Sequence, residues 1–124
     1  MTLTVAQIDR DTDQLVGEWL PLSDVAKKLQ LSIGRAKQLI KDKKLVGARR
    51  GGGEPQIPAV FIAGGDVIKG LPGTLTVLAD AGFSELESIR WLFTPDESLP
   101  GAPIDAIKAG RHTEVKRRAQ ALGF

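Results

Sequence analysis

The chain has no cysteine, no tyrosine and a single histidine, His112. Without thiols there is no disulfide framework and no thiolate metal centre, a composition that suits a reducing compartment. One imidazole leaves no histidine cluster for a metal, and the missing thiol leaves no cysteine nucleophile. The carboxylate pairs Glu85 with Glu87 and Asp96 with Glu97 sit among polar neighbours, where such groups stay ionised and idle. The expectation is a protein that is not an enzyme and uses no cofactor and no metal. Long apolar runs are also missing: nothing approaches the roughly 18–20 residues that cross a bilayer. Met1 to Gln14 lack the basic start and apolar stretch of a signal peptide. No membrane partner is expected, and the predicted location is cytoplasmic.

What is present is an uneven distribution of charge. The net formal charge over 124 residues is only +2. Yet residues 22–50 carry nine cations against Asp24 and Asp42, while residues 1–21 hold Arg10 against four acids. Residues 51–105 hold Lys69 and Arg90 against eight acids, and residues 106–124 hold five cations against Glu114. A near-neutral chain that gathers its positive charge in one short segment has the pattern of a polyanion-binding surface.

Residues 1–16 show weak periodicity and are read as a flexible tail, with Trp19 and Leu20 as anchors of the segment that follows. Leu22, Val25, Ala26 and Leu29 fall on one face of a short helix, opened by Ser23 or Asp24 as cap. After a break at Gln30-Leu31, Ser32 caps a second helix from Ile33 to Asp42, with Ala36, Leu39 and Ile40 inward. Leu45–Arg50 and Gln56–Ile62 read as two strands of a hairpin around Gly51-Gly52-Gly53-Glu54, with Pro55 and Pro58 placing the second at an edge. Helices then follow at Leu71–Ala81, from Ser84 to Phe93 behind a Ser84/Glu87 capping box, at Pro103–Ala109 and at Thr113–Leu122. The predicted fold is mainly α with a small β wing: a winged helix-turn-helix over 17–70 and a helical C-terminal region over 71–124.

Two short helices joined by a tight turn, the second basic, form a helix-turn-helix, whose second helix enters the major groove of double-stranded DNA. Arg35 and Gln38 are the candidates for base reading, by bidentate pairing to guanine and adenine. Ser32 and Ile33 support them, and Gly34 lets the backbone come close. Lys37, Lys41, Lys43 and Lys44 are assigned to phosphates, which position without specifying. Arg49 and Arg50, just before the glycine tip, are placed to reach an adjacent minor groove or its phosphates. The triple glycine lacks the Gly-Lys-Ser/Thr continuation of a nucleotide loop.

The segments Ser23-Asp-Val-Ala-Lys-Lys-Leu29, Ala36-Lys-Gln-Leu-Ile40 and Val60-Phe61-Ile62 resemble the winged helix-turn-helix of excisionase-like and MerR-like regulators. With Leu71-Pro-Gly-Thr-Leu-Thr-Val-Leu78, Arg90-Trp-Leu-Phe-Thr-Pro95 and Val115-Lys-Arg-Arg-Ala-Gln-Ala121, the whole chain is similar to an actinobacterial family of small winged-helix DNA-binding regulators linked to Ser/Thr protein kinase signalling. That resemblance implies a kinase as partner and possible phosphorylation at Thr2, Thr4 or Thr12, where a phosphate adds about −1.5 to −2 charge.

The stretch Arg90–Asp105 also resembles the toxin-binding region of certain antitoxins. Trp91 and Leu92 then belong either to a surface for a protein partner or to the core of a helical bundle. The leading expectation is sequence-dependent DNA binding in transcriptional regulation. The alternatives are a protein-interaction module, antitoxin-like or adaptor-like, and an architectural excisionase-like DNA binder.

Overall fold

A computed structural model describes residues 5–99 and 101–122. The architecture is mainly α with small antiparallel β pairings, a winged helix-turn-helix followed by a helical C-terminal region. Helix α1 spans Arg10–Val16, strand β1 Trp19–Pro21, α2 Leu22–Leu29 and α3 Ile33–Lys41. Strand β2 (Gln56–Pro58), a 3-10 turn (Ala59–Phe61) and the pair β3 (Ile62–Ala63) and β4 (Asp66–Val67) follow. The chain ends in α4 (Leu71–Asp80), α5 (Glu85–Phe93), α6 (Pro103–Lys108) and α7 (His112–Leu122).

The first departure from expectation lies at the N-terminus. Residues 10–16 are a helix, not a flexible tail. Asp9 caps it, accepting the Thr12 N–H at 3.1 Å and the Thr12 hydroxyl at 2.7 Å. Thr12 is fully buried, Val5 is buried, and Ile8 and Val16 pack against the core. The signal was present as Ile8, Thr12 and Val16 at i, i+4 and i+8, one helical stripe whose middle member is polar. Thr2 and Thr4 lie outside the described residues.

The wing is also built differently. Leu45–Arg50 is not a regular strand; it meets β2 at one point, where Ala48 and Gln56 exchange backbone hydrogen bonds of 2.9 and 2.8 Å. The main partner of β2 is β1, antiparallel, with Leu20 opposite Ile57. Gln56 therefore has neighbours on both sides and is no edge residue, while Pro58 sits at the end of β2, opposite Trp19. The expected strand from Gln56 to Ile62 breaks after Pro58, because the 3-10 turn redirects the chain to bury Phe61 completely. Ile62–Ala63 then pairs with Asp66–Val67 across Gly64-Gly65, both at positive φ (61° and 78°), the backbone a two-residue hairpin turn requires.

α2 begins behind Pro21 without a side-chain cap, so neither Ser23 nor Asp24 has the capping role expected of it. The N–H of Ser23 is taken instead by Glu54, at the base of the glycine tip. In the C-terminal region the Ser84/Glu87 capping box forms as expected. α7 packs on α4 and α6, and Arg118 ties it to the loop between α5 and α6 through the Ser98 hydroxyl and carbonyl. Leu92 is fully buried and Trp91 half-buried. One continuous core contains Leu22, Val25, Ala36 and Ile57 from the first part, and Leu71, Leu78, Ile89 and Val115 from the second.

Gly47 marks the tightest point of the wing. A Cβ there would lie 2.6 Å from Ile57 Cδ1 and 2.8 Å from the Gln56 carbonyl oxygen. The second atom is backbone held in the Ala48–Gln56 bridge, so it cannot swing away. Gly47→Ala is expected to lower stability by about 1–3 kcal/mol, read as a lower midpoint in denaturant unfolding; an unchanged midpoint would show that the bridge gives way freely.

Candidate nucleic-acid interface

The site begins with how α2 stops. Gln30 takes a left-handed conformation (φ 57°), and the N–H groups of Gln30 and Leu31 return to carbonyls of α2. Ser32 then caps α3 by accepting the Arg35 N–H at 3.2 Å. Three residues thus turn the chain between helices of eight and nine residues. Val25 and Ala26 of α2 pack in one core with Ala36 and Ile40 of α3.

With Ala36 and Ile40 inward, the opposite side of α3 faces solvent. Gly34, Lys37, Gln38 and Lys41 stand at i, i+3, i+4 and i+7, hence on one face. Ser32, Ile33, Gly34, Arg35 and Gln38 are exposed, and Lys37 and Lys41 are half-buried, their stems along the helix. Among the described residues the side chains of Arg35, Lys37 and Lys41 form no ion pair. Gln38 is not idle: its Nε2 donates to Asp42 Oδ1 at 2.9 Å. That contact holds the amide in one orientation and leaves one N–H and the carbonyl oxygen for a partner.

Lys43 and Lys44 continue the exposed cationic surface beyond α3. Lys43 adopts φ 61°, a conformation that favours glycine or asparagine.

The two arginines before the glycine tip part company. Arg49 is exposed, and its backbone joins the N-terminal segment through Ala6 and Ile8. Arg50 is held by α1: its Nε lies 3.0 Å from Asp13 Oδ2, and its guanidinium sits over the Trp19 ring at 5.3 Å. The structure therefore unites residues 32–41 on one helix and leaves Arg50 engaged elsewhere. Thr12 is buried with its hydroxyl committed to Asp9. Asp13, Asp42 and Glu54 are site-adjacent residues that sequence reasoning missed. Only Asp42 had a local signal, its i, i+4 spacing from Gln38.

Residues 7–62 match the family described as "DNA-binding protein Rv2175c, wHTH domain", and residues 68–123 match "Rv2175c C-terminal domain of unknown function". The DNA-binding protein Rv2175c of Mycobacterium tuberculosis (strain ATCC 25618 / H37Rv) is 40% identical, over 83% of this chain and 79% of its own length. The chain belongs to the Rv2175c family. A solved NMR structure of Rv2175c superposes with a TM-score of 0.80 at 35% identity, covering 99% of this chain and 91% of that one.

For this Rv2175c-family member, no helix among the described residues is long and apolar enough to cross a membrane. Among the same residues no group of three or more histidines and carboxylates is placed to hold a metal.

The glycine tip is fastened at its base. Glu54 accepts hydrogen bonds from the Ser23 hydroxyl and from the Ser23 N–H at 3.0 Å. Those two bonds hold the Glu54 carboxyl below its ordinary range, with a smaller pull from Lys27. A carboxyl whose folded-state pKa is depressed stabilises the fold above its unfolded pKa and loses that contribution as pH falls through the folded value. The latch is therefore expected intact at neutral pH and released only in acid. Ser23→Ala should move the Glu54 titration up toward the ordinary glutamate value, followed by NMR of its carboxyl carbon. A titration unmoved by Ser23→Ala would show that the latch does not form.

Proposed function

We propose that the chain binds double-stranded DNA with α3 in the major groove and regulates transcription from the cytoplasm. The observation that carries the reading is the outer face of α3, where Arg35, Lys37 and Lys41 stand without carboxylate partners among the described residues, on a helix held from behind by α2. Arg35 and Gln38 read base edges; Lys37, Lys41, Lys43 and Lys44 lie along phosphates; Arg49 extends the footprint beyond the helix. Arg50 joins only by giving up Asp13. The relative named DNA-binding protein Rv2175c, with its wHTH match over residues 7–62, supports this reading.

A Ser/Thr kinase acting on the N-terminus belongs to the same proposal. The acceptor is Thr2 or Thr4, since phosphorylating Thr12 requires opening α1 and exposing a hydroxyl now bonded to Asp9. Added negative charge opposes DNA by repulsion or by competing for the cations of α3.

Fluorescence titration of the full chain with duplexes selected from a random pool tests the reading. Arg35→Ala should weaken the selected duplex by about 1–3 kcal/mol and relax its sequence preference. Lys37→Ala should weaken all duplexes alike and reduce the salt slope by roughly 0.9, one phosphate's worth. Binding indifferent to Arg35→Ala and to salt would overturn the proposal.

A further inference from the structure

Nothing among the described residues explains why residue 34 is glycine. It lies in the first turn of α3 with ordinary right-handed helical backbone, so it does not need the freedom that only glycine has. A Cβ there would meet only Ser32 Oγ, at 4.0 Å. Some other glycines have internal reasons, whereas Gly52 and Gly73 share this lack of a close contact but stand away from α3. At Gly47 a Cβ would press into the Gln56 backbone, and at Gly70 it would lie 2.1 Å from the His112 Cβ. Glycine weakens a helix relative to alanine, so residue 34 costs stability without relieving any contact. What remains is approach by something outside the chain. Gly34 opens the face it shares with Lys37, Gln38 and Lys41.

Beside it stands Ile33, 44% exposed, the most exposed large apolar side chain among the described residues. The first turn of α3 therefore offers a gap and an apolar group together, next to Arg35. In the major groove, hydrogen-bonding base edges are matched by arginine and glutamine. The apolar group displayed there is the C5 methyl of thymine. Resting on the DNA reading above, we propose that Ile33 and Gly34 form a thymine-reading edge. The absent side chain at Gly34 lets the first turn of α3 settle into the groove, and Ile33 covers the methyl of a thymine adjoining the base pair met by Arg35.

The test uses the full chain and duplexes selected from a random pool, each prepared with thymine or with deoxyuridine, which lacks only the methyl. The selected sites should carry a fixed thymine, and its replacement by uracil should weaken wild-type binding about three- to fivefold, the worth of one buried carbon group. Ile33→Ala should bind the two duplexes equally. Gly34→Ala should raise Tm by roughly 1–4 °C, as a helical glycine replaced by alanine does, while binding at least about tenfold more weakly. The split between higher stability and lower affinity separates an external contact from a folding defect. Selected sites without a fixed thymine, equal wild-type binding to both duplexes, or undiminished binding by Gly34→Ala would each overturn the inference. If Arg35→Ala still weakens binding in those cases, DNA reading stands and only the thymine edge falls; if Arg35→Ala has no effect either, both fall.

Discussion

The structure depends on the crossing of α2 and α3. Helices of eight and nine residues do not persist alone in water, so each is held by what it packs against. Val25 and Ala36 have no exposed surface, and small side chains at Ala26 and Ala36 allow the two helices to come close. Once Ala36 and Ile40 face inward, 3.6 residues per turn leave Gly34, Lys37, Gln38 and Lys41 no place but outside. The exposed face of α3 is thus a consequence of the buried one. A bulky residue at position 36 would lift α3 from its support and displace every side chain of that face together.

How much of this was legible follows the range of the contacts concerned. α2, α3, α5 and their order came through because helical spacing and the Ser32 and Ser84 caps are signals within a few residues. The exposed positions of α3 came with them, since the inward set names the outward set. The wing did not, because its decisive pairings join residues 19–21 to 56–58 and Ala48 to Gln56, and no local pattern says which of two short apolar runs will be the partner. Helix α1 was missed because a buried threonine stands where its stripe needs an apolar residue. Thr12 can be buried only because Asp9 takes its hydroxyl, a compensation that has to be seen in three dimensions.

The charges sort themselves by the same logic. Asp9, Glu54, Glu87 and Asp96 have depressed pKa values because each accepts hydrogen bonds from a nearby backbone N–H and hydroxyl; in every case those bonds outweigh any neighbouring cation. These acids are spent on caps and turns. Asp13 and Glu114 engage Arg50, Arg111 and Arg118, so the acids of the N-terminal and C-terminal parts are placed beside the cations of their own surroundings. Asp42 accepts from the Gln38 amide of α3, and among the described residues it pairs with no lysine. A net charge near zero therefore coexists with a cationic helix because many of the acids are engaged elsewhere, in caps, turns and ion pairs.

Arg50 shows where that sorting limits function. Its guanidinium is stacked on Trp19 and paired with Asp13 while still 35% exposed. An ion pair this accessible contributes little to stability, so exchanging Asp13 for another anion costs little. The gain is correspondingly small, because it is only the difference between the two anions. Among the described residues Arg35, Lys37 and Lys41 have no such partner to give up when an anion arrives. On the proposed reading, polyanion binding rests on α3 and on the exposed Lys43, Lys44 and Arg49 more than on Arg50. The N-terminal segment, joined to Arg49 by backbone bonds and to Arg50 by Asp13, decides how much the wing adds.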